Sequence, residues 1–251
     1  MLASDADVTY CGSMPATVLD GFLPATILSA LRWGDVLALL LLVAAWGAMG
    51  WVTEHPPPGR PSVTVLMSQV RREWMREFLT RDNRIFDAQI MASLRQGTSF
   101  FASTAILAVG GVLALIGNVA PLAGLAEEIG REETTALQWQ MRLLPCALLL
   151  THAFLKFVWS NRVFGYCSVM MAAIPTDPGD PRSAPRASRA AELNIRAAYN
   201  FNRGLRSMYY SLASLGWLAG PGVLAVAVAV VTAMLIGREF ASVPHDILAE
   251  R

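Results

Sequence analysis

Four segments of this chain are long and apolar enough to cross a bilayer, at about residues 35–51, 97–117, 143–159 and 209–236. A hydrocarbon core roughly 30 Å thick takes about 20 mostly apolar residues in a helix. Inside that layer every backbone amide and carbonyl must find a partner within the chain, which favours helices. The segments therefore predict an all-α, integral membrane four-helix bundle. The hydrophobic fraction of 54% and a mean hydropathy of +0.43 agree with that class rather than with a soluble domain.

Net charge is only +1, but the charges are segregated. Between the first and second segments lie Arg60, Arg71, Arg72, Arg76, Arg81, Arg84 and Arg95, and between the third and fourth lie Arg162, Arg182, Arg186, Arg189, Arg196, Arg203 and Arg206. The connection between the second and third segments is acidic instead, with Glu127, Glu128, Glu132 and Glu133. Arginine-rich loops stay on the cytoplasmic side. The expected topology in a bacterial inner membrane therefore has both basic connections inside, and the acidic loop and both termini in the periplasm.

The N-terminal residues carry Asp5 and Asp7, and Asp20 and Pro24 interrupt any apolar core, so the pattern is not that of a cleaved signal peptide. Met14 is an alternative start. Cys11, Cys146 and Cys167 fall in three different compartments of this topology and make no disulfide framework.

The organisation read from these features is an N-terminal segment 1–34, a membrane domain 35–238 and a tail 239–251. After His55, three prolines and Gly59 stop the first helix. Leu66, Val70, Trp74 and Phe78 then recur every fourth residue, and Ile85, Ile90 and Leu94 continue the stripe. That periodicity predicts one amphipathic helix over 62–96, entering the second span with a bend near Gly97, and Glu77 and Arg81 are spaced for an ion pair. The proline-rich stretch 175–188 reads as a loop, followed by a helix over 190–208. The expected result is long cytoplasmic helical extensions, either protruding or lying along the membrane surface. Gly220-Pro221-Gly222 predicts a kink within the fourth span.

Two polar constellations stand out at the cytoplasmic side. Arg81, Asp82, Asn83, Arg84, Asp87 and Gln89 form the first, and Asn200, Asn202, Arg203 and Arg206 with Tyr209 and Tyr210 form the second. Each can be a solvated helix face or an interfacial anchor, or can meet a partner or an anionic lipid headgroup. Within the spans, Ser99, Ser103, Thr104 and Gly110 suit close helix packing or the lining of a pore. His152 is an ionisable group at mid-span, to be read as a buried hydrogen-bonded histidine or a functional one. Carboxylates alternate with the arginines and no recognition fold is evident, so nucleic acid is not an expected partner. No phosphate loop, zinc helix or nucleophile elbow occurs, so no catalytic, cofactor or metal residues are nominated.

The blocks Arg71-Arg72-Glu73-Trp74-Met75, Arg81 to Ile85 with Asp87 and Gln89, Phe100 to Thr104, Phe154 to Tyr166 and Asn200 to Tyr210 resemble a multi-pass membrane family. It is catalogued as domain of unknown function 599, from proteobacteria and plants. The resemblance spans about residues 35–238 and implies a membrane fold, with no activity to carry over. The expected function is non-enzymatic, acting by homo-oligomerisation or as an accessory subunit of a membrane complex. An oligomeric channel or small-solute transporter is the alternative, and a lipid-modifying enzyme a weaker one.

Overall fold

The computed structural model describes residues 32–121, 124 and 135–249, and among them every regular element is helical. The helices are α1 Trp33–Glu54, α2 Val63–Glu77, α3 Ile85–Gly117, α4 Ala136–Ala172, α5 Ser183–Ser214, α6 Pro221–Phe240 and α7 Val243–Ala249. Short 3-10 turns at Phe78–Thr80 and Leu215–Ala219 follow α2 and α5. Helices α1, α3, α4 and the stretch beginning at Pro221 are long and apolar enough to cross a membrane. The N-terminal segment, with Cys11 and Met14, and the acidic cluster Glu127 to Glu133 lie outside the described residues.

Local chemistry explains several helix starts. Thr135 accepts a hydrogen bond from the Gln138 amide while the Gln138 side chain accepts one from the Thr135 amide, so both donors are satisfied before α4 begins. Ser62 accepts from the Val65 amide at the start of α2 and donates to the Thr53 carbonyl, which ties α2 to the end of α1. Helix α5 starts at Ser183, earlier than the proline count suggests, because Pro185 falls in its first turn, where its missing amide proton is not needed.

At 1.5 Å per residue, α3 (33 residues) and α4 (37 residues) are about 50 and 55 Å long, well beyond a hydrocarbon core. Their surplus is not loose. It packs with α2 and the first half of α5 around Met75, Phe78, Met91, Phe164, Cys167 and Met171, all buried. The extensions therefore form a second compact layer that continues the axes of the same helices.

Two sequence expectations are corrected here. The helix predicted over 62–96 is broken, at Arg81–Arg84 rather than near Gly97, which lies inside the uninterrupted α3. Arg81 is extended, and the Asn83 side chain accepts from the Ile85 amide, opening α3 with a turn of the kind asparagine favours. Arg81 consequently meets Asp87 instead of the predicted Glu77.

The second correction concerns residues 209–236. They do not form one kinked span. Gly220 has φ 119° and ψ 167°, a backbone region open essentially to glycine alone. Pro221 then starts α6 as its first residue. The chain turns back on itself there. Tyr210 bonds Thr232 (2.9 Å) and Arg238 bonds Tyr209 (2.7 Å), so α6 runs antiparallel to the end of α5. Helix α6 lies parallel to α1, with Gly34 against Pro221 at one end and Thr64 bonded to Glu239 at the other. Trp33 and Phe240 thus stand at opposite ends of the bundle, whereas a single kinked span would have put them at the same end.

The last turns of α5 traverse the bundle without matching the apolarity of the other helices. Ser207, Ser211 and Ser214 are buried there, and each hydroxyl donates to a carbonyl of its own helix. Neighbouring helices cover this stripe, which makes the polarity tolerable. Replacing Gly220 by alanine is expected to destabilise the protein by about 1–3 kcal/mol through backbone strain alone. A lowered melting temperature in mild detergent is the readout, and an unchanged one would refute the turn conformation.

Candidate functional site

The centre of the structure is where the end of α1 meets α5. Arg203 donates through Nε (2.8 Å) and Nη2 (2.5 Å) to the two carboxylate oxygens of Glu54, and Arg206 donates to Glu54 Oε1 at 2.7 Å. The planar guanidinium of Arg203 matches the carboxylate in a two-point fork. The Arg206 side chain is only 7% exposed and that of Glu54 11%, so these charges are mostly removed from water. One carboxylate serves two arginines. Sequence reasoning singled out Arg203 and Arg206 but missed Glu54. The available signal was an acidic residue ending an apolar span beside a connection whose charges are mainly arginine.

One turn deeper, Ser207 collects three bonds. The Trp46 indole donates to its hydroxyl at 3.1 Å, the hydroxyl donates to the Arg203 carbonyl at 3.1 Å, and His152 Nδ1 lies 2.8 Å away. With the serine proton committed to the carbonyl, this network assigns the ring proton to His152 Nδ1. Trp46 also meets the His152 ring edge-on at 5.1 Å. His152 is therefore a packed helix-bridging residue, and Ser207 is what bridges it to α1 and α5.

Beside the ion cluster lies an open cleft of about 720 Å³, bounded by α2, the middle of α3, α5 and the end of α6. This is within the range of small-molecule sites. Its wall mixes apolar side chains, among them Phe164, Phe201, Leu205 and Leu235, with the hydroxyl groups of Thr64, Ser68, Thr98 and Tyr199. Asn202 donates to Thr64 and Ser68 to Tyr199, pinning α2 to α5. Arg71, Arg206 and Arg238 reach the cleft, and Glu239 is the one carboxylate among its lining residues. The Arg71 guanidinium bonds the neutral Asn194 side chain and has no carboxylate at ion-pair distance among the described residues. Burial pushes its pKa below the ordinary arginine value. Asn194 is itself fully buried, with its amide directed at the sulfur atoms of Met91 and Cys167.

The first sequence constellation divides. Asp87 is buried, and its Oδ1 accepts from Arg81 (2.6 Å) and Trp74 (2.5 Å), which closes the elbow between α2 and α3. Arg84 donates to the Ile174 and Pro175 carbonyls and stacks over Phe78, fastening the end of α4 to the same elbow. Asp82 and Gln89 are exposed. Asn200 bonds the Arg196 carbonyl of its own helix. Arg81, Arg84 and Asp87 are thus fasteners of the second layer, and none of the first constellation lines the cleft.

The span residues fall elsewhere. Ser99, Ser103 and Gly110 sit on the outward face of α3, away from α4, and Thr104 bonds the Phe100 carbonyl one turn earlier. None of the four is among the residues lining the cleft. No group of three or more histidine, cysteine, aspartate or glutamate side chains able to hold a metal occurs among the described residues.

Neither the curated proteins nor the solved structures contain a match to this chain. The family model described as a protein of unknown function, DUF599, matches residues 37–244. That match runs from the start of α1 to the start of α7 and takes in the ion cluster, the elbow and the cleft together, and the chain belongs to this family.

Proposed function

We propose that this protein is a non-enzymatic component of a bacterial cytoplasmic membrane that acts by assembly, with copies of itself or as an accessory subunit of a larger membrane complex. The supporting observation is the outward face of α3. That helix packs chiefly on α4, while Ser99, Ser103 and Gly110 on its other side are exposed and a side chain at Gly110 would meet open space. Small and hydroxylated residues at this spacing allow a second membrane helix to approach closely and hydrogen-bond. The arginine-rich second layer faces the cytoplasm by the rule for basic loops. With the chain reversing at Gly220, the end of α6 lies on the cytoplasmic side and Trp33 on the periplasmic side.

Gly110→Leu tests this directly. The substitution adds bulk where the monomer has space, so thermal stability of the extracted subunit is expected to hold while native mass falls to that of a single chain. Mild extraction followed by native mass measurement and identification of co-purifying subunits reads the outcome. A wild-type protein that is monomeric and alone in such extracts would overturn the proposal. A closed oligomer that conducts ions in liposomes, and stops when Ser103 becomes leucine, would favour the channel reading instead.

A further inference from the structure

We propose that the cleft between α2, α3, α5 and α6 is a binding site for the headgroup of an anionic phospholipid. This inference is independent of the assembly face on α3. The charge balance carries it. Arg71 is partly buried, and its side-chain acceptor among the described residues is the neutral Asn194 amide. Arg206 shares Glu54 with Arg203, and Arg238 meets the Tyr209 hydroxyl. Glu239 accepts from the Thr64 amide and hydroxyl and also attracts Arg206, so Arg71, Arg203, Arg206 and Arg238 share two carboxylates, Glu54 and Glu239. A buried cation without a counter-charge is costly, and an anion placed against it removes that cost.

The shape selects the kind of anion. Phe201, Leu205 and Leu235 give the cleft an apolar wall, with Leu235 on an apolar spanning helix, while Arg71, Arg206 and Arg238 with Ser68 and Tyr199 give it charged and hydroxyl groups. A free anion would use only the polar groups. A phospholipid matches both, with phosphate among arginines and hydroxyls and acyl chains along the leucines. Guanidinium groups suit phosphate oxygens because they donate in a planar fork. The cleft is lined mainly by α2 and α5, and also by the spanning helices α3 at Gly97 and Thr98 and α6 at Leu235 and Glu239, so a lipid would reach it from the bilayer past these two helices.

The test is a lipid add-back on delipidated protein in detergent, reading the melting temperature and lipid retention by native mass spectrometry. Phosphatidylglycerol is expected to stabilise the protein and remain bound, while phosphatidylcholine and inorganic phosphate do neither. Arg71→Gln and Arg238→Gln are each expected to weaken phosphatidylglycerol binding at least about tenfold, the loss of one charge-assisted contact. Arg238 is exposed and tied only to Tyr209, so its variant is expected to fold normally and carries the test if the Arg71 variant does not fold. Equal stabilisation by phosphatidylcholine would overturn the role of headgroup charge. Equal stabilisation by inorganic phosphate would make this a free-anion site and overturn the lipid. Binding indifferent to Arg238→Gln in a folded variant would overturn the location.

Discussion

Glu54→Gln is expected to be among the most damaging single substitutions in this chain, lowering stability by about 3–5 kcal/mol. The carboxylate is the only acidic group at ion-pair distance from Arg203 and Arg206 among the described residues. Arg203 is 42% exposed, so water compensates much of its loss and little of the cost arises there. Arg206 is 7% exposed, with no such recourse. The variant's melting temperature in mild detergent should fall by roughly 10 °C, and the variant should accumulate poorly in membranes. Adding Arg206→Met to Glu54→Gln removes the stranded charge while keeping much of the volume, and is expected to recover a large part of the loss. A single variant as stable as wild type, or a double variant no better than the single, would show that the cluster is not the electrostatic centre described above.

The second large effect is expected at Gly204, where the interface between α4 and α5 is tightest. A β-carbon added at this position would lie 2.7 Å from Phe157 Cε1 and 2.9 Å from Cδ1 and Cζ. Phe157 is fully buried and cannot move aside, because Phe101 and Phe201 pack against it with ring centroids 5.5 Å away. Alanine normally stabilises a helix interior by about 1 kcal/mol over glycine. Here overpacking opposes that gain by about 1–3 kcal/mol, and valine or leucine should exceed it and prevent close packing of the two helices. Gly165 in α4 provides the contrast, since a β-carbon there meets no atom within 4 Å. Gly165→Ala is expected to raise the melting temperature and Gly204→Val to lower it sharply. Pairing Gly204→Ala with Phe157→Leu should relieve part of the clash. A much smaller loss for Gly165→Val than for Gly204→Val would separate packing from helix propensity.

Several features were legible because local chemistry decides them. The apolar windows at 35–51, 97–117 and 143–159 all lie within spanning helices. Of the amphipathic stripe Leu66, Val70, Trp74 and Phe78, Leu66 and Phe78 are buried and Trp74 is half-buried, while Val70 is exposed. The break at Arg81–Arg84 was not legible, because stripes before and after it share nearly the same period. What separates them is the bond between Arg81 and Asp87, formed only once α3 has turned away from α2. The reversal at Gly220 had a local mark, the Gly-Pro pair. Hydropathy on both sides of it was nevertheless high, and a kink and a turn leave the same trace in a hydropathy window.

The polar residues divide in the same way. Their types announced a basic inner side, but their partners lie far along the chain: Glu54 with Arg203, Trp46 with Ser207, Arg71 with Asn194 and Thr64 with Glu239. None of these pairs has a spacing that periodicity reveals. The sequence by itself determined a helical membrane protein with a basic end, because burying a backbone in hydrocarbon leaves helices as the solution and each apolar run is a local property. Only the tertiary structure decided the number of passes through the bundle, the counter-ion of each arginine and the cleft beside them. Those depend on which helices become neighbours, and long-range packing settles that.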